Sequence, residues 1–208
     1  MTTMKTAYPE LLWPFKNLPQ NYVVLDLETT GLIDDIGAPS ILAIGIVEVN
    51  DGQPVNGTEM FARPSRPITQ EAAAIHGITE NKAANFPALE DSWGTLSSLL
   101  HGRLVVIHNA AFDWVVISEA GRIHQLQLPS VQGIFCSQRS AHPWAQAIGM
   151  DVSDRGPSLD SLTKQLELRD RRSERAGYHG ALIDAQQTVA VVECLRERGQ
   201  QKHATPAE

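Results

Sequence analysis

The sequence predicts an α/β domain, a mixed five-stranded sheet flanked by helices. Three observations lead there. Three β-rich segments come early, strand and helix signals then alternate, and no internal repeat or low-complexity tract interrupts the pattern. With 208 residues the chain can build one domain with a full apolar core.

The elements follow in order. Residues 22–28 (YVVLDLE) are β-rich, residues 40–50 (SILAIGIVEVN) form a second strand and residues 55–63 a third. The DGQP turn between the last two predicts hairpin-like pairing. Helices are expected over residues 70–76 and 89–100. Residues 104–108 (LVVIH) read as a short, largely apolar fourth strand, after which Asn109 caps a helix reaching about residue 125. Residues 134–137 supply a fifth strand. Ser158 caps a helix that carries Leu159, Leu162 and Leu166 at helical spacing, and the last strong helix covers residues 181–198. Residues 1–20 read as a loosely attached arm, 21–198 as the domain, and 199–208 as a polar tail.

Composition excludes several classes. Hydrophobic residues make up 42% and charged residues 20%, ordinary for a globular domain. The longest apolar runs are far too short to cross a bilayer. Pro9, Pro14 and Pro19 interrupt an N-terminus without a sustained apolar stretch, so no signal peptide is read and a cytoplasmic location is expected. Cys136 and Cys194 lack metal-type spacing and read as reduced thiols. A net charge of -7 argues against a protein that coats long nucleic acids, which usually carries a basic stripe. It leaves room for one that gathers carboxylates around cations, because bound ions reverse the local sign.

Such carboxylates stand at the expected strand ends. In D26-L-E-T-T-G-L32, alternation puts Val24, Asp26 and Glu28 on one face of the first strand and Val23, Leu25 and Leu27 on the other. Two acids on one face of an apolar strand are costly to bury without compensation. A divalent ion compensates them, since Mg²⁺ takes oxygen ligands from one or two carboxylates. Taken alone, the same pair fits a solvated strand end. In H108-N-A-A-F-D113, Asp113 falls in the first turn of a helix directly after a strand, where the helix dipole alone would also favour it. In H179-G-A-L-I-D-A185, Asp184 repeats that placement. His179 lies before it, next to a flexible glycine, as a side chain suited to take a proton near neutral pH or as a plain surface histidine.

Together, DLETTGL, HNAAFD and HGALIDA, with Ile75-His76-Gly77-Ile78-Thr79 between them, resemble the DEDDh exonuclease family. This group of the ribonuclease H-like superfamily includes the proofreading subunit of bacterial DNA polymerase III, ribonuclease T and oligoribonuclease. The resemblance spans residues 22–198. It implies that Asp26, Glu28, Asp113 and Asp184 hold two Mg²⁺ ions, with Mn²⁺ able to substitute, and that His179 is the general base. It implies a 3′→5′ exonuclease that releases nucleoside 5′-monophosphates from single-stranded DNA. The alternatives are an exoribonuclease, a polymerase proofreading subunit, or a binding subunit that has lost catalysis. By the same resemblance Thr29, Thr30, Leu32, His76, Ile78, Asn109 and Phe112 contact the terminal nucleotide, with core packing as the alternative for Leu32, Ile78 and Phe112. The Arg-rich residues 168–177 are expected to be flexible without substrate. The short stretch after the last helix favours an enzyme acting on its own, and a homodimer fits its standalone relatives.

Two segments depart from or extend the pattern. Phe135-Cys136-Ser137-Gln138 stands where the family often has an Asp-Thr pair, away from the ligand positions. Gln125-Leu126-Gln127-Leu128-Pro129 faintly resembles a motif for binding a sliding clamp, and reads more simply as a helix end followed by a turn.

Overall fold

A computed structural model describes residues 8–171 and 179–201. Its centre is a five-stranded sheet built from β1 (Tyr22–Thr29), β2 (Ile41–Asn50), β3 (Gln53–Phe61), β4 (Leu104–Ile107) and β5 (Gly133–Cys136), in the order β3-β2-β1-β4-β5. β1, β2 and β3 pair antiparallel, while β4 and β5 join parallel to β1. The mixed sheet, the hairpin and the fifth strand agree with the sequence reading. Among the described residues no helix is long and apolar enough to cross a membrane, and neither cysteine forms a disulfide.

Eight helices cover the sheet: α1 (Trp13–Lys16), α2 (Gln70–His76), α3 (Glu80–Ala83), α4 (Leu89–Leu100), α5 (Ala110–Ile123), α6 (Ser137–Ala147), α7 (Leu159–Gln165) and α8 (Ala181–Gln200), counted among the described residues. The alternation of β1 divides the core. Tyr22 and Val24 join Ala185, Val189 and Val192 of α8 on one side of the sheet. Val23, Leu25 and Leu27 join Trp93, Leu96, Val116 and Ile117 of α4 and α5 on the other.

Two local expectations change, and one helix appears that the sequence reading did not contain. Residues 9–18 are not a loose arm, because Leu12 and Phe15 are fully buried in the α8-side core. The Arg196 guanidinium, on the last turns of α8, donates to the Leu18 carbonyl at 2.6 Å and the Pro19 carbonyl at 3.0 Å, so α8 holds the end of this segment. Asn109 stands at the N-cap of α5, but in a left-handed conformation (φ 75) with no side-chain capping bond. Helix α6 was not legible, since Pro143 lies inside it and Pro breaks the usual helical signal. Gln125 turns the chain with φ 54, and the Gln127 carbonyl accepts from the Trp93 indole at 2.8 Å. The 125–129 segment is thus the helix end and turn.

Candidate active site

The site lies where β1 runs out toward α5 and α8. Asp26 and Glu28 project from one face of β1, and Asp184 enters from the first turn of α8, held by its N–H on the Gly180 carbonyl at 2.8 Å. Ligand oxygens of Asp26, Glu28 and Asp184 all lie within 4.8 Å of one another. Asp26 is half-buried, while Glu28 and Asp184 are only 7% and 4% exposed. Carboxylates that close repel, and burial sharpens the repulsion. A hard divalent ion fits this set of oxygen donors, because it supplies the missing positive charge.

The close approach has a specific cause. Gly45 of β2 stands directly across from Asp26 in the β1–β2 ladder. A Cβ at Gly45 would lie 2.1 Å from the Ala181 carbonyl carbon and 2.3 Å from the Leu182 nitrogen. The backbone of the first turn of α8 therefore rests on bare sheet backbone, and only glycine permits it. Glycine within the apolar run ILAIGIV was the available signal, and the sequence reading missed it. A bulge between Glu28 and Thr29 then ends the regular register of β1.

Asp113 lies outside that triplet. It is 5% exposed in the first turn of α5. Burial pushes its carboxyl up to about 7, against the opposing pull of its own backbone N–H and that of Leu27. The Leu27 bond ties Asp113 to β1 between Asp26 and Glu28. His179 Nδ1 lies 3.0 Å from Asp184 Oδ2, with about a third of the imidazole side chain exposed. Its backbone N–H donates to the Ile75 carbonyl at 3.0 Å, joining the start of α8 to α2. Residues 172–177 of the expected flexible stretch lie outside the described residues.

Beside the carboxylates opens a groove of about 540 Å³, with Glu28, Thr29, Leu32, Ile75, His76 and Phe112 among its walls. Leu32 is 78% exposed, an apolar side chain standing free at the rim. His76 is buried and serves the wall from behind. Its Nδ1 accepts from the Ile78 N–H at 3.0 Å, which leaves the ring proton on Nε2, 3.2 Å from the Thr29 carbonyl. Thr30 is also buried. Its Oγ1 accepts from the Ser40 N–H at 3.0 Å, and its carbonyl accepts from the Thr69 N–H at 2.9 Å.

Ile78 does not line this groove. Gly77, with φ 69, turns the chain inward after α2, and Ile78 packs at 1% exposure with Leu42, Ala43, Ala83 and Ala181. Ile75, on the open face of α2 at 50% exposure, takes the position expected for it. Asn109 lies one helical turn before Asp113 and borders a different, polar groove.

Comparison with known proteins places this geometry. A "DNA polymerase III PolC-type" from Thermotoga petrophila is 32% identical over 178 residues, 86% of this chain but 12% of that protein. The "DNA polymerase III subunit epsilon" of Salmonella typhimurium (strain LT2) is 31% identical over 169 residues, 79% of this chain and 66% of the subunit. The chain thus spans about an eighth of the first relative and just under two thirds of the second. The solved structure "Exonuclease X in complex with 5' overhanging duplex DNA" superposes with a TM-score of 0.61 at 29% identity, over 86% of this chain and 93% of that one. The RNase_T family model, described as "Exonuclease", matches residues 23–192. A match over that span, on a fold that gathers acidic side chains at the end of β1, means that the chain belongs to the RNase_T exonuclease family.

Proposed function

We infer that this exonuclease removes nucleotides from the 3′ end of single-stranded DNA, releasing nucleoside 5′-monophosphates. The observation that carries the reading is the meeting of Asp26, Glu28 and Asp184 within 4.8 Å, beside a groove walled by Leu32, Ile75 and Phe112. Acidic oxygens suit ions that act on a phosphodiester, and apolar walls suit one terminal base, whose stacking contributes about 1–3 kcal/mol without regard to sequence. The DNA-directed relatives support the choice of substrate.

Asp26, Glu28, Asp184 and Asp113 would hold two Mg²⁺ ions, with Mn²⁺ able to replace them. Such ions make a water nucleophilic and stabilise the leaving 3′-oxygen. His179, on the exposed side of Asp184, takes the proton from the attacking water, a role worth about 10²–10⁴-fold. Leu32, Ile75 and Phe112 seat the last base, while His76 and Thr30 fix the backbone at the end of β1.

The test uses 5′-labelled single-stranded DNA and RNA of one sequence with Mg²⁺, beside Asp26→Ala. Shortening of the DNA from its 3′ end, lost in Asp26→Ala and in excess EDTA, is expected. Shortening of RNA alone would move the substrate to RNA. Undiminished activity in EDTA would overturn the metal-dependent chemistry.

A further inference from the structure

Two grooves meet at the first turn of α5, and they differ in chemistry. Phe112 borders the apolar groove already described. Asn109 borders a second groove of about 360 Å³, walled by Gln138 from α6, Ser158 and Ser161 at the start of α7, and the turn between these helices. Asp113 stands between Asn109 and the remainder of α5, one turn on. On the side of β2, the backbone of α8 closes onto Gly45.

The turn in the second groove is rigidly held. The Gly156 N–H donates to the Ser153 carbonyl at 2.9 Å, and Ser153 Oγ donates to the Gly156 carbonyl at 3.2 Å. Gly156, at φ 111, sits so tightly on the start of α6 that a Cβ would lie 2.6 Å from the Gln138 carbonyl oxygen. The turn thereby fixes the backbone of Arg155, whose exposed side chain borders the groove. Asp151 borders the groove too, and Asp154 is next in sequence, yet Arg155 forms no ion pair with any described residue. A cation presented by a locked turn and left unpaired is suited to an anion that arrives with a ligand.

We propose that the second groove holds the stretch of the nucleic acid strand on the 5′ side of the cleaved bond, with Arg155 contacting a backbone phosphate there. The proposal rests on the reading of Asp26, Glu28 and Asp184 as the hydrolytic centre. The division of labour follows from the walls: apolar side chains take the terminal base, and amide, hydroxyl and guanidinium groups take sugar and phosphate. Phosphate contacts carry no sequence information, so the groove adds affinity with strand length and not base preference.

The experiment measures binding to the full-length protein with Ca²⁺ in place of Mg²⁺, by competition of unlabelled dT2, dT8 and rU8 against fluorescein-labelled dT8. Arg155→Ala is expected to weaken dT8, or rU8 if the enzyme prefers RNA, by about threefold to fivefold, the range of an exposed charge contact. Binding of dT2 stays unchanged. The slope of log Kd against log salt falls by about 0.7, as for one lost contact to a single strand. Asp151→Asn, which removes the groove's carboxylate, tightens the octamer. Equal loss for dT2 and the octamers, or no loss for either octamer, overturns the proposal. Loss limited to the octamers in a protein that shortens no strand in Mg²⁺ upholds the groove and defeats the hydrolytic reading. Normal shortening with no length-dependent loss defeats the groove alone, and a wild-type protein that binds no octamer defeats both.

Discussion

The two ends of α8 make the same kind of contact and serve different purposes. At its first turn the helix backbone rests on Gly45 of β2, and Asp184 is carried to Asp26 and Glu28. Near its end Gly199 lets Leu12 approach, with a hypothetical Cβ 3.1 Å from the Leu12 carbonyl oxygen, while Arg196 grips the carbonyls of Leu18 and Pro19. Both ends exploit a missing side chain. One places a carboxylate, and the other anchors the axis of the helix that carries it. Changes at the first end should therefore reach ion binding and turnover, and changes at the second should be confined to stability.

The largest effect that sharpens this contrast is Asp184→Ala. Turnover on labelled single-stranded DNA should fall about 10³-fold, because ions at such sites supply several kcal/mol to the transition state. The Tm in EDTA should rise, since three clustered carboxylates become two. A lowered Tm would mean that the first end also bears fold stability.

Next in size is the response to pH at the same end. Asp113 keeps its proton up to about 7 when folded, against an ordinary value of 3.8. Between those values the folded chain binds more protons than the unfolded one, so without divalent ions this group makes the fold less stable as pH rises. An ion competes with that proton, and its affinity should grow up to about tenfold per pH unit until pH 7, then level off. Melting curves from pH 5 to 8 in EDTA and in Mg²⁺ check this, and Asp113→Asn should remove the slope. A slope unchanged in Asp113→Asn would assign the proton elsewhere.

Gly45→Ala comes third. The new methyl would displace the first turn of α8, costing about 1–3 kcal/mol of stability and weakening Mn²⁺ binding, both readable by calorimetry. Loss of stability with unchanged Mn²⁺ affinity would break the link between this contact and the carboxylates. Smallest is Arg196→Ala. It leaves the buried Leu18 carbonyl and the more exposed Pro19 carbonyl without their donor, costing about 1 kcal/mol in denaturant melts, while turnover per folded molecule at 25 °C stays at the wild-type level. A fall in turnover would show that the anchor reaches the site.

Much of this was legible in the sequence, and the misses share a cause. The alternation of Val23 to Glu28 gave the two faces of β1 directly, and the helices at Gln70–His76 and Leu89–Leu100 were read to the residue. Asp26, Glu28 and Asp184 meet where strand ends and helix starts implied. The burial of Leu12 and Phe15, the exchange of Ile78 for Ile75 and the role of Gly45 were not legible. Each depends on a contact between segments distant in the chain: α8 on residues 9–19, the Gly77 turn against β2, or the first turn of α8 on the sheet. Local periodicity reports which face of an element is apolar, and it carries no word of which distant backbone will touch it.

The contact at Gly45 also sets how the site responds to heat. Because backbone meets backbone there, the separation of α8 from the sheet at β2 depends on the thickness of two main chains and not on rotamers that loosen as temperature rises. The contact acts as a mechanical stop. The spacing of the acidic oxygens should hold nearly constant on warming, and ion affinity should drift little until the domain melts as a whole.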